Sequence, residues 1–348
     1  LGFDRQKRDG YLNNTSDIGP GDLSDVDYFA GRVSLVLDLM DNLENYSIFS
    51  FTDSENNGGI TQVFACNTEG VGSMSPTSVL VAVFAPACDD QLSRNPGGFH
   101  NVQNAVPDPK SEIEQWQIIN TTTWDVTEYL TVKNIFSYAE LETTLRTGVF
   151  GTDFQLATPT GNIPLYFSTS GQVPGISTTS QRSIVEELQF QGQGFDDRLT
   201  VQGGFYFERS EPDGISGSQS ANFISCDIDT LGLDPSGFRC SSTTLLASVS
   251  RSLGTVTFEN KALYTQATFD VLPDLPDLLS LTVGIRYTWD ETDGLSDQEA
   301  YSFPGSPVNP TGEMFAPNGA RCLADSVDYP DCAINLSQNS DAPTWLIG

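Results

Sequence analysis

The six cysteines are the residues whose spacing points most directly to chemistry. They form three pairs that are close in sequence: Cys66 with Cys88, Cys226 with Cys240, and Cys322 with Cys332. No CxxC motif occurs, and the single histidine, His100, neighbours none of the cysteines, so a zinc site has little support. Each pair lies within one connection between strand-like segments. Local disulfides in an oxidising compartment are therefore expected, which predicts a periplasm-exposed or extracellular location.

Enzymatic chemistry has little support in the sequence. A Ser/His/Asp triad or a Cys/His dyad would have to use His100, which lies in Pro96-Gly-Gly-Phe-His100 without a GxSxG motif. The sequence contains neither a P-loop nor a GxGxxG motif. We expect the chain not to be an enzyme, and we assign it no catalytic, cofactor-binding or metal-binding residue.

Two groups of loop residues are weaker candidates for binding. Acidic segments could supply oxygen ligands for calcium: Asp22, Asp25 and Asp27; Asp227 and Asp229 before Gly232; and Asp290, Glu291 and Asp293 before Gly294. None has a full calcium-loop pattern, so solvated acidic loops are favoured and loop calcium is the alternative. Aromatic loop residues could stack on a ligand, although packing among the loops is favoured: Phe84, Phe99, Phe150, Phe154, Tyr166 and Phe167.

The composition of the chain indicates an acidic all-β protein. The 348 residues include 16 Lys+Arg and 46 Asp+Glu, and a net charge of −30 repels nucleic acids. The hydrophobic content of 38% is too high for a disordered acidic chain. Glycine, phenylalanine and tyrosine are abundant, which favours short strands and polar connections. The apolar stretch Val79 to Ala87 is too short for a membrane-spanning helix. Within it, Val79 to Phe84 should pack inside the loop closed by Cys66 and Cys88.

Apolar and polar residues alternate in segments of about ten residues, as in strands with two different faces. The segments pair into hairpins with short turns, whereas the connections between hairpins are long, the first from Ser54 to Ser111 and the last from Glu291 to Asp341. A half-buried soluble sheet is the alternative, but it gives no reason for this asymmetry. A transmembrane β-barrel does, because its strands are joined by short turns on one side and long loops on the other.

Alternation also predicts the direction of individual side chains. The lumen-facing candidates are Glu187, Gln189, Gln202, Tyr206, Glu208, Arg286 and Asp290. The lipid-facing candidates are Val33, Leu35, Leu37, Val201, Phe205, Phe207, Leu281, Val283, Ile285, Tyr287 and Trp289. Tyr287 and Trp289 lie toward one end of their apolar run, where interfacial aromatic residues are found.

Several of these strands resemble TonB-dependent outer-membrane receptors. The segment from Leu281 to Glu291 is similar to a GxRYxxD strand of that family, and it follows Tyr264 to Asp270, which resembles a QAxY strand with Phe269 in place of the tyrosine. The hairpin from Glu186 to Phe207 resembles the QELRLxS and GxFYxxE strands. The opening Arg8-Asp-Gly-Tyr-Leu-Asn-Asn14 resembles early barrel strands.

The resemblance implies active uptake across the outer membrane of a Gram-negative bacterium. The family has a twenty-two-stranded barrel, a plug that fills the lumen, and a short box that contacts TonB. Residues 1–348 would form one partial β-barrel domain of about ten strands, with the plug and the C-terminal strands absent. The implied partners are outer-membrane lipid, TonB through the missing plug region, and a nutrient of the siderophore, cobalamin or oligosaccharide type. A plugless porin and a secreted acidic β-adhesin are the alternatives.

Overall fold

A computed structural model describes residues 1–66, 79–159, 161–167, 169–242, 247–272, 279–305 and 312–348. In chain order its strands are β1 Gly2–Arg8, β2 Leu12–Asn14, β3 Asp22–Leu23, β4 Val26–Met40, β5 Leu43–Asn56, β6 Asn101–Val102, β7 Lys110–Thr127, β8 Leu130–Gly148, β9 Phe154–Thr158, β10 Gly161–Leu165, β11 Thr169–Gln172, β12 Thr179–Gly194, β13 Leu199–Pro212, β14 Ser216–Asn222, β15 Ile224–Cys226, β16 Cys240–Ser242, β17 Ser248–Asp270, β18 Ser280–Ser302, β19 Gly319–Cys322 and β20 Ala333–Ile347. Helix α1 spans Val79–Arg94, and single 3₁₀ turns span Ile228–Thr230 and Pro235–Gly237.

The main antiparallel sheet has thirteen strands, and ten of them form a continuous series, which we call the wall. In spatial order they are β1, β4, β5, β7, β8, β12, β13, β17, β18 and β20. Each strand pairs with the next one along the chain within this set, as a barrel wall requires. Strands β1 and β20 are the two edges of the sheet. The predicted all-β architecture with about ten wall strands is confirmed.

The connections alternate between short and long, as predicted. Residues 41–42 join β4 to β5, residues 128–129 join β7 to β8, and residues 195–198 join β12 to β13. The predicted turn from Pro273 to Leu278 lies outside the described residues. At the opposite end of the wall, the long connections carry the short strands, α1 and both 3₁₀ turns. We call this region the loop end.

The wall strands are longer than the predicted length of about ten residues. Strands β17 and β18 each contain 23 residues, and 22 consecutive register pairs join them, from Val249 with Tyr301 to Asp270 with Ser280. The stretch from Glu291 to Ser302 was expected to belong to a loop. Most of its residues are polar on both faces up to Glu299, so the alternation is lost, but its backbone groups continue the hydrogen-bond ladder with β17.

The largest hydrophobic core lies at the loop end rather than between layers of the wall. Phe238, Ile224, Val249 and Tyr301 are almost fully buried there, among twelve buried residues. Helix α1, which the sequence did not predict, holds Cys88 and contains Pro86, a residue that disfavours a helix interior. The side chains of residues 79–84, expected to pack inside this loop, lie outside the described residues. In the described part of the chain, no helix is long and apolar enough to cross a membrane.

Candidate functional site

The register of four wall strands collects the predicted lumen-facing residues on one surface, which we call the polar face. Residues paired across antiparallel strands point to the same side of the sheet. Glu187 pairs with Tyr206, and Glu208 pairs with Asn260, which in turn pairs with Asp290. Register pairs on the neighbouring strands place three further residues on the same side of the sheet: Gln189, Gln202 and Arg286. All seven candidates therefore lie on the polar face of β12, β13 and β18. That this face borders a lumen stays a prediction.

Two tyrosines donate hydrogen bonds to carboxylates at the centre of the polar face. The Tyr264 hydroxyl donates to Glu187 Oε1 over 2.6 Å, and the Tyr206 hydroxyl donates to Glu208 Oε2 over 2.8 Å. Hydrogen bonds to a charged acceptor are stronger than bonds between neutral groups. These contacts restrain both phenol groups on the polar face.

Arg286 is the one basic residue among the seven predicted residues, and it lies against the Tyr206 ring. Its guanidinium carbon is 5.3 Å from the centroid of the Tyr206 ring, within the range of a cation–π contact. Its Nε donates to Thr288 Oγ1 over 3.2 Å. Asp290 accepts a hydrogen bond from Asn260 Nδ2. Phenol, carboxylate and guanidinium groups together could bind a polar or aromatic ligand group, or order water along a passage.

A glycine makes room for this arrangement. Gly204 pairs with Tyr264 on β17, and a Cβ at Gly204 would lie 2.9 Å from the Tyr264 hydroxyl oxygen. The tyrosine can therefore extend across β13 to reach Glu187 on β12. Aromatic side chains often cover glycines in neighbouring strands in this way.

All eleven predicted lipid-facing residues lie on the opposite surface of the wall, which we call the apolar face. One register row connects Leu37, on β4, to Phe205, Leu263 and Tyr287. On β5, β7 and β8 the same row carries the uncharged polar residues Asn45, Thr122 and Asn134. Val283 and Ile285 keep 47% and 53% of their surface exposed, so no layer of the described chain covers them. Lipid would satisfy this face, and contact with lipid stays a prediction.

The three acidic segments that could have bound calcium do not converge on an ion site in the described residues. Asp25 Oδ1 accepts from the Asn57 amide over 2.7 Å, while Asp27 pairs with Lys7 and Arg5. Asp227 caps the first 3₁₀ turn. Among the described residues, one group of potential metal ligands lies close together, Asp297, Glu299 and Cys332, and the Cys332 sulfur is already in a disulfide.

The cysteines at the loop end form disulfides, and most of the aromatic candidates described there pack within the loops. Disulfides join the three predicted pairs, with Cα–Cα distances of 6.0, 4.0 and 5.1 Å along the chain. Phe154 and Tyr166 are buried, and Phe167 contacts Phe150 at 5.3 Å between ring centroids. Phe99 is exposed, and the side chain of Phe84 lies outside the described residues. Burial, with Asp227 and Asp229 nearby, raises the pKa of Tyr166 to about 12.

Sequence reasoning did not include Tyr264 and Asn260 among the candidates. Alternation indicated the face of Tyr264, but its contact with Glu187 depends on the register of β13 against its two neighbours. That register could not be read from a single sequence, because alternation fixes which face a residue occupies and leaves its cross-strand partner open.

Comparison with known proteins supports the fold assignment. No protein-family model matches the chain, and no curated protein was found to match it. The ferric yersiniabactin uptake receptor FyuA from Yersinia pestis is similar in structure, with a TM-score of 0.54 and 13% identity over 99% of this chain and 38% of that one. The ferric-catecholate import receptor Fiu from E. coli K12, in its open form, is also similar in structure, with a TM-score of 0.52 and 13% identity over 99% of this chain and 46% of that one.

The chain therefore has the fold of an outer-membrane receptor barrel wall. The resemblance to TonB-dependent receptors, stated from the strand motifs, is confirmed at the level of the fold. The chain spans less than half the length of the receptors it matches. Both neighbours are named as uptake or import receptors.

Proposed function

We propose that this chain is part of the barrel wall of a TonB-energised receptor that imports a scarce, bulky nutrient through the outer membrane of a Gram-negative bacterium. The nutrient would be of the siderophore, cobalamin or oligosaccharide type. A ferric siderophore is favoured, because both similar structures are named for ferric siderophore-type ligands. The plug and the TonB-contacting segment would be supplied by the parts of the receptor not represented in residues 1–348.

The observation that carries this proposal is the difference between the two faces of the wall. Glu187, Tyr206 and Arg286 lie on one face, while Val283 and Ile285 lie half-exposed on the other. A sheet that is apolar outside and polar inside suits a lipid exterior and an aqueous interior. A soluble adhesin would have no use for a row of exposed aliphatic side chains.

Uptake by the full-length protein tests the proposal. Cells that lack the gene would be complemented with it and supplied with a ferric siderophore panel, cobalamin and oligosaccharides, in strains with and without TonB. We expect accumulation of one ligand class in the presence of TonB only. Diffusion of many small solutes without TonB would indicate a porin, and recovery of the protein in detergent-free buffer would indicate a secreted adhesin.

A matched pair of variants tests whether the polar face contacts the ligand. Arg286→Gln removes the cation beside Tyr206, whereas Lys133→Gln removes another cation on the same face but on β8. If the cluster around Tyr206 contributes to binding, Arg286→Gln will raise the ligand concentration needed for half-maximal uptake and Lys133→Gln will not. Equal effects would place the binding groups elsewhere in the receptor.

A further inference from the structure

The polar face loses its charged residues toward the loop end. Glu208 and Asp290 lie in one register row across this face. Beyond that row, no described residue on the polar face of β7, β8, β12, β13, β17 or β18 is Asp, Glu, Lys or Arg. The opposite surface of the same strands does carry charge there, because Glu140 pairs with Arg182 and Arg182 pairs with Glu211. The charged residues are therefore segregated to one side of the sheet.

Hydroxyl and amide side chains take the place of the charged residues where the strands reach the loop end. Two adjacent register rows on β11, β14, β17 and β18 form what we call the mouth surface: Ser170, Ser220 and Ser250 in one row, and Ser218, Ser252 and Gln298 in the other. A serine hydroxyl or a glutamine amide can both donate and accept hydrogen bonds. This surface can therefore bind neutral polar groups of either kind.

Burial shows that the mouth surface is the open side of the sheet. Val249 and Arg251 alternate with the serines of β17, and both are buried against Phe238 of the loop-end core. Ser250 is half-buried and Ser252 is exposed. The loop-end core therefore packs on the opposite surface and leaves the mouth surface accessible to a ligand.

An apolar strip borders the mouth surface on the side of Glu208 and Asp290. Val256 and Leu336 are the two register partners of Gly294, and they keep 53% and 56% of their surface exposed. Phe258, one row further along β17, is 36% exposed. Because Gly294 has no side chain, the strip is shallow at its centre. Hydroxyl groups beside an apolar strip suit a ligand that presents both polar groups and C–H surface.

We propose that the mouth surface and the apolar strip bind the transported nutrient, and that this nutrient is uncharged and rich in oxygen atoms that form hydrogen bonds. The proposal rests on the proposed function and narrows its ligand class. An anion would find no cation on the mouth surface, and a chain with a net charge of −30 would repel it. A cation would find no carboxylate on the mouth surface. Uncharged ferric trihydroxamates and neutral oligosaccharides have the required chemistry, whereas a ferric tris-catecholate is an anion.

Direct binding to the purified full-length receptor tests the ligand class. Calorimetric titrations would use uncharged ferric trihydroxamates, neutral oligosaccharides and ferric tris-catecholates as probes. We expect one of the two uncharged classes to bind, which distinguishes between them, and we expect the affinity not to change with salt concentration. Binding of the tris-catecholates alone, or no binding of either uncharged class, would overturn the proposal.

Substitutions on the mouth surface test its residues. Ser218→Ala, Ser220→Ala and Ser252→Ala together should weaken binding of the uncharged probe by about tenfold or more, because several hydrogen bonds are lost. The control is Thr255→Ala, on the opposite surface of β17, which should bind like the unchanged receptor. Ser252→Ala alone repeats the test at an exposed residue where packing stays intact. Binding by these serine variants that equals binding by the control would refute the assignment.

A charge of either sign at the centre of the mouth surface tests whether the ligand is neutral. Ser220→Lys and Ser220→Glu should weaken binding to a similar extent, because an uncharged ligand loses the hydroxyl contact in both variants. Tighter binding by Ser220→Lys would show that the ligand is an anion and would contradict the proposal.

Failure of this proposal and failure of the proposed function give different results. If TonB-dependent uptake occurs and the mouth-surface variants bind as the unchanged receptor does, only the assignment of the mouth surface is wrong. If an uncharged probe binds the mouth surface but enters cells without TonB, the proposed function is wrong and the ligand class stands.

Discussion

An arginine placed at the centre of the apolar face should destabilise the receptor far more than one placed on the polar face. The apolar run of β18 extends from Leu281 to Trp289, and Ile285 is its central residue. Nine tilted strand residues are about the length needed to cross the hydrocarbon. Ile285 is 53% exposed and pairs with Thr265 and Trp345. We therefore expect Ile285→Arg to lower the free energy of unfolding by about 2 to 4 kcal/mol.

The matched control is Thr282→Arg, on the same strand but on the polar face. This substitution removes only the hydrogen bond between the Thr282 and Thr268 hydroxyls, which are 3.0 Å apart. We expect it to lower the free energy of unfolding by about 1 kcal/mol. Val283→Arg, one step closer to the turn than Ile285, should give a loss between the two, because the cost of a charge falls toward the membrane interface. A second pair, Phe205→Arg and Gln202→Arg, tests the same contrast on β13.

Unfolding would be followed in urea after refolding the full-length protein into phosphatidylcholine vesicles, with the midpoint and slope compared for each variant. Losses of equal size at Ile285 and Thr282 would refute the assignment of faces. A larger loss at Thr282 would reverse it. A changed slope would mean that the variant altered the unfolding transition, and the comparison would then use the β13 pair.

Three further predictions concern local features. Gly204→Ala should cost about 1 to 3 kcal/mol in the same titration, because its Cβ would press on a carbonyl and a hydroxyl oxygen, whereas Gly284→Ala, with its nearest atom 3.5 Å away, should change little. Near-ultraviolet circular dichroism should show that the free energy of unfolding of the loop end falls as the pH rises from 10 to 12, with up to about 2.7 kcal/mol of the loss due to Tyr166, whose neutral form is favoured in the folded state. Tyr166→Phe should reduce this loss without abolishing it, because burial also raises the pKa of Tyr301 in the same core. Cys226→Ser breaks the Cys226–Cys240 disulfide, which closes a loop of 14 residues, and should destabilise the loop end by about 3 kcal/mol, detected as faster hydrogen exchange in β15 and β16 without a change in the wall.

The faces of the wall could be predicted because alternation is a direct consequence of strand geometry. Leu281, Val283 and Ile285 point to one side and Thr282, Gly284 and Arg286 to the other, whatever the neighbouring strands are. The three disulfides could also be predicted, because the two cysteines of each pair are close in sequence. Both features depend only on local sequence.

The features that were missed depend on pairing with distant segments. The polar ends of β17 and β18 show no alternation, and they are strands because each satisfies the backbone of the other. The contact of Tyr264 with Glu187 spans 77 residues and requires β12, β13 and β17 to be in one particular register. Neither feature has a local signal.

Register also explains why Glu186 did not stand out in the sequence. In Glu186-Glu187-Leu188-Gln189 the two carboxylates are adjacent, and only the pairing with β13 places one beside Tyr206 and the other beside Phe207. Glu187 joins a network of tyrosines and carboxylates, where its charge is stabilised by hydrogen bonds. Glu186 has apolar register partners on both sides and accepts one hydrogen bond from an amide. Two adjacent, identical residues therefore lie in different electrostatic surroundings, and only the register of β12 against its two neighbours creates the difference.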